Sequence, residues 1–256
     1  MESFTLTRKD VAQLLLALDG RREDLQPLSV LQCAWKRNHP IDQEQEQWMP
    51  AFLDTAVPPV LDKMIKGRQG NSFSLQEIAA LGQLIEYSQA SLTSMQNWVK
   101  RDFKEFLGSP KIGKKYSINQ AALLLIVEDL KASLDFESIR RLFHILFQEP
   151  TEDADDWIEP VELYAAYSTM FEELDANNDQ MLDIAGHTAG GHRQDSLTES
   201  VIRTASDRYA GRLHHLLPGQ RKAVGNVLLI AAVSVQTSYF LSMARRYVNA
   251  TLFLEF

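Results

Sequence analysis

Cysteine is almost absent from this sequence: Cys33 stands alone among 256 residues. That excludes a disulfide within the chain, makes a thiolate metal site nearly impossible, and points to a reducing, cytoplasmic setting. Strand signals are scarce, and neither internal repeats nor low-complexity tracts occur. No Gly-x-Ser-x-Gly, phosphate-binding loop or dinucleotide fingerprint is present, so an enzyme is not expected and no cofactor is implied. Positive charge is in deficit, with 26 Lys and Arg against 34 Asp and Glu and a formal charge of −8. The chain as a whole is therefore a poor binder of polyanions, and any contact with nucleic acid has to be local. The opening "MESFTLTRKDVAQLLLALDG" lacks the small-residue cleavage site of a signal peptide.

What is abundant is helical periodicity, in a chain of ordinary globular composition with 45% hydrophobic and 23% charged residues. Residues 7–19 read as a helix closed by Gly20. Weaker helices are expected at 28–38 and 42–49, and "PPVLDKMIKG" reads as a short helix with prolines at its start. The turn-rich "GRQGNS" marks a first boundary. Ser74 with Glu77 and Ser117 with Gln120 are spaced as capping boxes, and Asp135 as an N-cap. The acidic "QEPTEDADDWIEP" marks a second boundary, and further helices are expected at 160–174, 196–217 and 219–250. The expectation is an all-α protein in three parts: an N-terminal helical segment (1–70), a central domain (71–148) and a C-terminal helical region (157–256). Cys33, within "LQCAW", reads as a core residue.

There is one long uncharged run, Ala223 to Ala244, whose length reaches the ~20 residues of a membrane span. Six polar residues from Asn226 to Ser242 interrupt it. It reads as a helix buried in a helical domain or against a second copy of the chain, and no membrane partner is expected.

The stretch 91–117, "SLTSMQNWVKRDFKEFLGSPKIGKKYS", departs from the acidic background. Between Gln96 and Lys115 it holds six cations and two carboxylates, a net +4 that leaves −12 for the remainder of a −8 chain. Leu92, Met95, Trp98, Val99, Phe103 and Phe106 recur at spacings of three and four, which predicts one helix over 91–106 with an apolar face. Gln96, Asn97, Lys100, Arg101 and Lys104 then share the opposite stripe. Gln and Asn can bond base edges and Lys and Arg can neutralise phosphates, although charges on an exposed helix face are also commonly just solvated. After it, "GSPKIGKKY" supplies a turn and a second basic cluster, Lys111, Lys114 and Lys115, with Tyr116.

This order of parts resembles the N-terminal domain of MerR-type regulators, a winged helix-turn-helix. Ser94-Met95-Gln96-Asn97-Trp98 occupies the second-helix positions, Leu107-Gly108-Ser109-Pro110 the turn, and Lys114-Lys115-Tyr116-Ser117 the end of the wing. "LKASLDFESIRRLF" (130–143) is similar to the start of the fourth helix in that family. The segment is also similar to an uncharacterised domain family of Firmicutes with a "TM-x-N-Y-x-K … KKYS" pattern. The resemblance covers about residues 72–147. The helix arginine of the regulators is Gln96 here, the link "RDFKEFLGSP" is longer, and no long dimerisation coiled coil follows. The resemblance implies a regulator that binds double-stranded DNA as a homodimer under control of an unknown small-molecule effector. Gln96 and Asn97 would face bases; Lys100, Arg101, Lys104, Lys111, Lys114, Lys115 and Tyr116 would face phosphates; Trp98 would pack. A different class stays open: a helical interaction module that keeps this fold and holds an acidic protein partner.

Two smaller patterns carry little. "DANNDQMLD" places Asp175, Asn177, Asp179 and Asp183 at calcium-loop positions, but Gly186 stands where the bidentate Glu belongs, and a plain Asn/Asp-rich loop is expected. His187, His192, His214 and His215 have no recognised zinc spacing, so no metal is expected.

Overall fold

The computed structural model describes residues 4–20, 22, 24–39, 56–66, 72–147, 156–176 and 192–254. Among these the chain is all-α, with one two-stranded ribbon. The helix expected at 42–49 lies outside them, as do Asn177, Asp179, Asp183 and His187. Two compact units are present, residues 1–125 and 126–256.

In the first unit, α1 (Arg8–Asp19) opens on a reciprocal cap. Thr7 Oγ1 accepts from the Asp10 amide and Asp10 Oδ2 accepts from the Thr7 amide at 2.8 Å. Its buried face, Val11, Leu14 and Leu15, packs on α2 (Pro27–Asn38), where Arg37 forms an ion pair with Asp10. Cys33 is exposed on α2, because Val30, Leu31, Ala34 and Trp35 occupy the buried arc. Helix α3 (Pro59–Lys66) buries Val60, Leu61 and Met64. Ribbon strand β1 (Ser72–Phe73) leads into α4 (Leu75–Gln83), whose Ser74/Glu77 capping box is complete. Helix α5 (Leu92–Asn97) runs into a π-helical turn (Trp98–Asp102), then α6 (Lys104–Leu107), β2 (Tyr116–Ser117) and α7 (Ile118–Leu130). Every residue of α7 from Ala121 to Val127 is apolar and buried, as a helix apolar on all sides must be.

The second unit packs α8 (Phe136–Leu146), α9 (Pro160–Ala176), α10 (His192–Ala210) and α11 (Pro218–Leu254). Asp135 caps α8 as expected, accepting from the Ser138 amide at 2.7 Å. The expected helix 196–217 stops at Ala210. Gly211 and the residue before Pro218 both disfavour continuation, and residues 211–216 turn on short-range bonds such as Leu213 N to Ala210 O, 3.1 Å. Tyr164 and Tyr167 are fully buried on α9, and the Tyr167 hydroxyl donates to buried Asp129 Oδ2 at 2.7 Å.

The 37-residue α11 behaves as two halves. Val224, Val227, Leu228, Ala231, Ala232 and Val235 are buried in their own unit, packed with α9 and α10. By length and composition the helix could cross a membrane, its most apolar 18-residue window having a mean hydropathy of 1.7. The burial of its first half is what a core helix shows. From Leu241 onward most side chains are exposed. The uncharged run 223–244 is thus not one interface: its first half is already covered by its own unit.

Candidate nucleic-acid interface

Two helices and a hairpin of the first unit carry the basic stretch. Helix α4 is fixed at its start by Glu77, which also accepts both bonds of a fork from Lys63 Nζ (2.8 and 2.9 Å). Burial pushes the Glu77 carboxyl up, but the bond from Lys63 and the Ser74 amide prevail and hold it below its ordinary value. Lys63 also donates to Ser72 O at 3.0 Å and lies over the Phe73 ring, so one ammonium ties α3 to both β1 and α4.

The connector from α4 to α5 is fastened by the N-terminal segment. Leu6 bridges Ile85, with Leu6 N donating to Leu84 O and Glu86 N to Leu6 O, and Arg8 Nη1 reaches Glu86 O at 3.0 Å. Tyr87 within it adopts φ 61°, a left-handed geometry that a bulky residue holds only when neighbours impose it. Gln83 Nε2 donates to Ala90 O at 3.3 Å, and Ser91 Oγ caps α5 on the Ser94 amide.

The predicted single helix over 91–106 is broken. The Phe103 amide donates to Trp98 O, five residues back, so Trp98–Asp102 form a π-turn, and Phe103 itself leaves helical geometry at φ −130°, ψ 27°. The cause is legible in the side chains. Met95, Trp98, Phe103 and Phe106 are all buried, spaced three, five and three apart. One residue too many stands between Trp98 and Phe103 for an α-helix, and a wider turn keeps both rings in the core. The consequence on the outer face is that Lys104 falls out of the α-helical register of Gln96, Asn97, Lys100 and Arg101.

After α6, Gly108 takes φ 56°, ψ −157°, a region essentially restricted to glycine, and turns the chain towards the hairpin. Ile112 and Lys115 exchange two backbone bonds (3.1 and 3.0 Å) around Gly113-Lys114. Gly113 at φ 62° followed by a residue of negative φ is the pattern of a type II′ turn, so Lys114 sits at the tip. Beyond the turn, β2 pairs antiparallel with β1, Tyr116 opposite Phe73 and Ser117 opposite Ser72. The basic segment is thus a small wing.

One buried side chain holds this wing to the core. Gln120 Nε2 donates to Leu107 O (2.5 Å) and Ser109 O (2.8 Å), while its Oε1 accepts from the amides of Ser117 (2.9 Å) and Lys111 (3.3 Å). Spacing from Ser117 predicts only the capping bond. The other three are non-local and have no sequence signal.

Gln96, Asn97, Lys100, Arg101, Lys104, Lys111 and Lys114 are exposed, and Lys115 is half-buried. Trp98 packs inside, as expected. Tyr116, expected among the phosphate-facing residues, is buried instead, because its place opposite Phe73 in the ribbon turns the ring into the core. Burial raises its phenol above the ordinary value, so it stays neutral and contributes no charge to the surface. Arg101 is partly compensated by Asp102, with Nε to Oδ1 at 2.7 Å. Lys100, Lys104, Lys114 and Lys115 have no carboxylate within ion-pair distance among the described residues.

In the second unit, a cavity of about 220 Å³ lies between α9 and α10, lined by Met170, Leu174, Val201, Thr204 and Arg208 among others. It is smaller than the roughly 300–1,000 Å³ of typical ligand sites. Among the described residues, no three His, Cys, Asp or Glu side chains are grouped to hold a metal ion.

Comparison with known proteins places residues 73–167 on the model of a family described as a domain of unknown function, DUF1836. The matched stretch begins at β1 and includes the whole helix-and-wing assembly. Over 248 residues the chain is 29% identical to the uncharacterized protein YkrK of Bacillus subtilis (strain 168), covering 96% of this chain and 97% of that protein. No solved structure matches the chain.

Proposed function

We propose that this chain is a DNA-binding regulator of MerR-like type, cytoplasmic and dimeric, that contacts the duplex through the α5/π-turn segment and the wing. The observation that carries the proposal is the set of four lysines without a carboxylate partner among the described residues, Lys100, Lys104, Lys114 and Lys115, in a chain whose remaining charge is strongly negative. Lys100 stands on the π-turn, Lys104 at the start of α6 and Lys114 at the hairpin tip, all three exposed. In this proposal Gln96 and Asn97 face base edges, and Lys100, Arg101, Lys104, Lys111, Lys114 and Lys115 neutralise phosphates. Tyr116 is withdrawn from the contact set and supports the wing from beneath.

Binding to a mixed-sequence duplex across a salt series tests it. Lys114→Glu with Lys115→Glu should weaken binding about 10- to 100-fold and flatten the salt slope by about two. Unchanged affinity and slope would sink the assignment of the wing.

A second reading is favoured by the π-turn, which leaves only Leu92–Asn97 as regular helix ahead of Lys100. Under it, the same surface holds an acidic protein partner. Absence of duplex binding at low salt, with the fold intact, selects this reading.

A further inference from the structure

The apolar side of α11 changes direction along the helix. In the first half the stripe Val224, Val227, Leu228, Ala231 and Val235 is buried in its own unit. Continued at spacings of three and four, that stripe becomes Ser238, Ser242, Arg245 and Asn249, all polar. The apolar residues of the second half stand on the other side. Phe240, Leu241, Ala244, Tyr247, Val248 and Leu252 fall at i, i+1, i+4, i+7, i+8 and i+12, the spacing of one helical face. At about 100° per residue they span an arc of roughly 140°, directed away from the covered stripe. Leu241 is 42% exposed, Tyr247 71%, Val248 56% and Leu252 51%. Thr251 lies within the face, and its hydroxyl already donates to Tyr247 O at 2.8 Å, so burial strands no donor there. Phe253 lies off the face, on the polar side with Ser242 and Arg246.

Charge is one-sided here too. From Arg208 to Leu254 there is no Asp or Glu against six Lys and Arg, in a chain of net charge −8. Arg245 and Arg246 are exposed and have no carboxylate within ion-pair distance among the described residues. They also bound the apolar side. Leu252 brings it to Arg245, and Tyr239, Met243 and Ala250 extend it to Arg246.

We infer that this face binds an anionic lipid surface, the helix lying along it with Arg245 and Arg246 reaching headgroup phosphates from the two margins. The helix does not cross the bilayer, since its first half is already packed in its own unit. Lying on the surface immerses the face by about 5–10 Å, into the boundary layer where water and lipid carbonyls meet the Tyr247 hydroxyl. A second copy of the chain fits the face less well. Its α11 brings the same two arginines and no carboxylate, so a crossing of the exposed halves gathers four guanidinium groups. An anionic surface neutralises them and requires no matching of side-chain shapes.

The inference is independent of duplex binding, and its test uses no DNA. The whole chain should float with vesicles of phosphatidylglycerol and phosphatidylcholine in equal parts, and at least about tenfold more weakly with phosphatidylcholine alone. Leu241→Glu with Val248→Glu should abolish flotation and leave the far-ultraviolet dichroism spectrum unchanged. Arg245→Gln with Arg246→Gln should weaken binding to the mixed vesicles about 10- to 30-fold and leave binding to phosphatidylcholine unchanged. In a Cys33→Ser background, a fluorophore on Val248→Cys should be quenched by doxyl-labelled lipid, and one on Asn249→Cys should not. No flotation with the mixed vesicles, flotation that survives the glutamate pair, or equal quenching at the two positions overturns the inference. So does loss of flotation in Lys114→Glu with Lys115→Glu, which would assign lipid binding to the wing. A parent chain that does not float, and that the glutamate pair converts from dimer to monomer, overturns it as well and gives the face to a second copy.

Discussion

Gly82 on α4 and Ala90 at the entrance to α5 approach so closely that a β-carbon built on the glycine would lie 2.6 Å from that of the alanine. No real pair of β-carbons sits at that distance, and the atom in the way is fixed to backbone. The approach of α4 to the entrance of α5 therefore depends on the absence of a side chain at residue 82. Gly82→Ala should gain about 1 kcal/mol of helix propensity, yet separating α4 from α5 costs more, leaving a net loss of about 1–2 kcal/mol. Thermal unfolding should show a drop of roughly 2–6 °C. The double variant with Ala90→Gly should recover most of it; no recovery would place the strain elsewhere.

Gln120 sets the wing's position relative to the helices through four hydrogen bonds, two given and two received. Gln120→Leu keeps the size and removes all four, leaving two carbonyls and two amides to find water, a loss of about 2–3 kcal/mol. Gln120→Glu can still accept from Ser117 and Lys111 but cannot donate to Leu107 and Ser109. Amide exchange at Lys111 and Ser117 should accelerate by at least about tenfold in the leucine variant and less in the glutamate variant. Equal protection in all three chains would show that the ribbon alone holds the wing.

The Lys63–Glu77 pair gives stability a defined dependence on pH. The folded carboxyl lies below its ordinary value of 4.5. Its contribution is therefore complete above about pH 4.5 and is lost as pH falls through the lower, folded value. Comparing the chain with Glu77→Gln by denaturant unfolding should give a difference that is constant from neutral pH to about 5 and shrinks below 4.5. A difference that grows on acidification would contradict the pairing.

What could be read from the sequence were the features written in local spacing. The caps at Ser74, Ser117 and Asp135, the stop at Gly20 and the helix of α3 follow from residues within four positions of one another, and the structure has them. Cys33 reads as core but lies exposed because Val30, Leu31, Ala34 and Trp35 take the buried arc of its own helix, while Tyr116 is buried by pairing with Phe73, a partner far along the chain. The bonds from Gln120 to the wing are equally non-local. The two halves of α11 carry the same apolar composition, and only packing separates the covered half from the exposed one.

The π-turn was hidden for a different reason: a spacing of five between Trp98 and Phe103 looks, in sequence, like a tolerable irregularity of an α-helix. Its cause suggests a direct test. Deleting Val99 restores spacings of three, four and three along Met95, Trp98, Phe103 and Phe106, the pattern of a continuous α-helix, and removes no charge. The deletion chain should keep its fold, losing no more than about 1–2 kcal/mol for the half-buried valine. Its helical dichroism should be retained, while Lys104 returns to the register of Gln96 and Lys100. If duplex binding depends on the widened turn, affinity should change while net charge, and hence the salt slope, does not. A deletion chain that unfolds would mean that the π-turn is fixed by contacts other than the spacing of these four core residues.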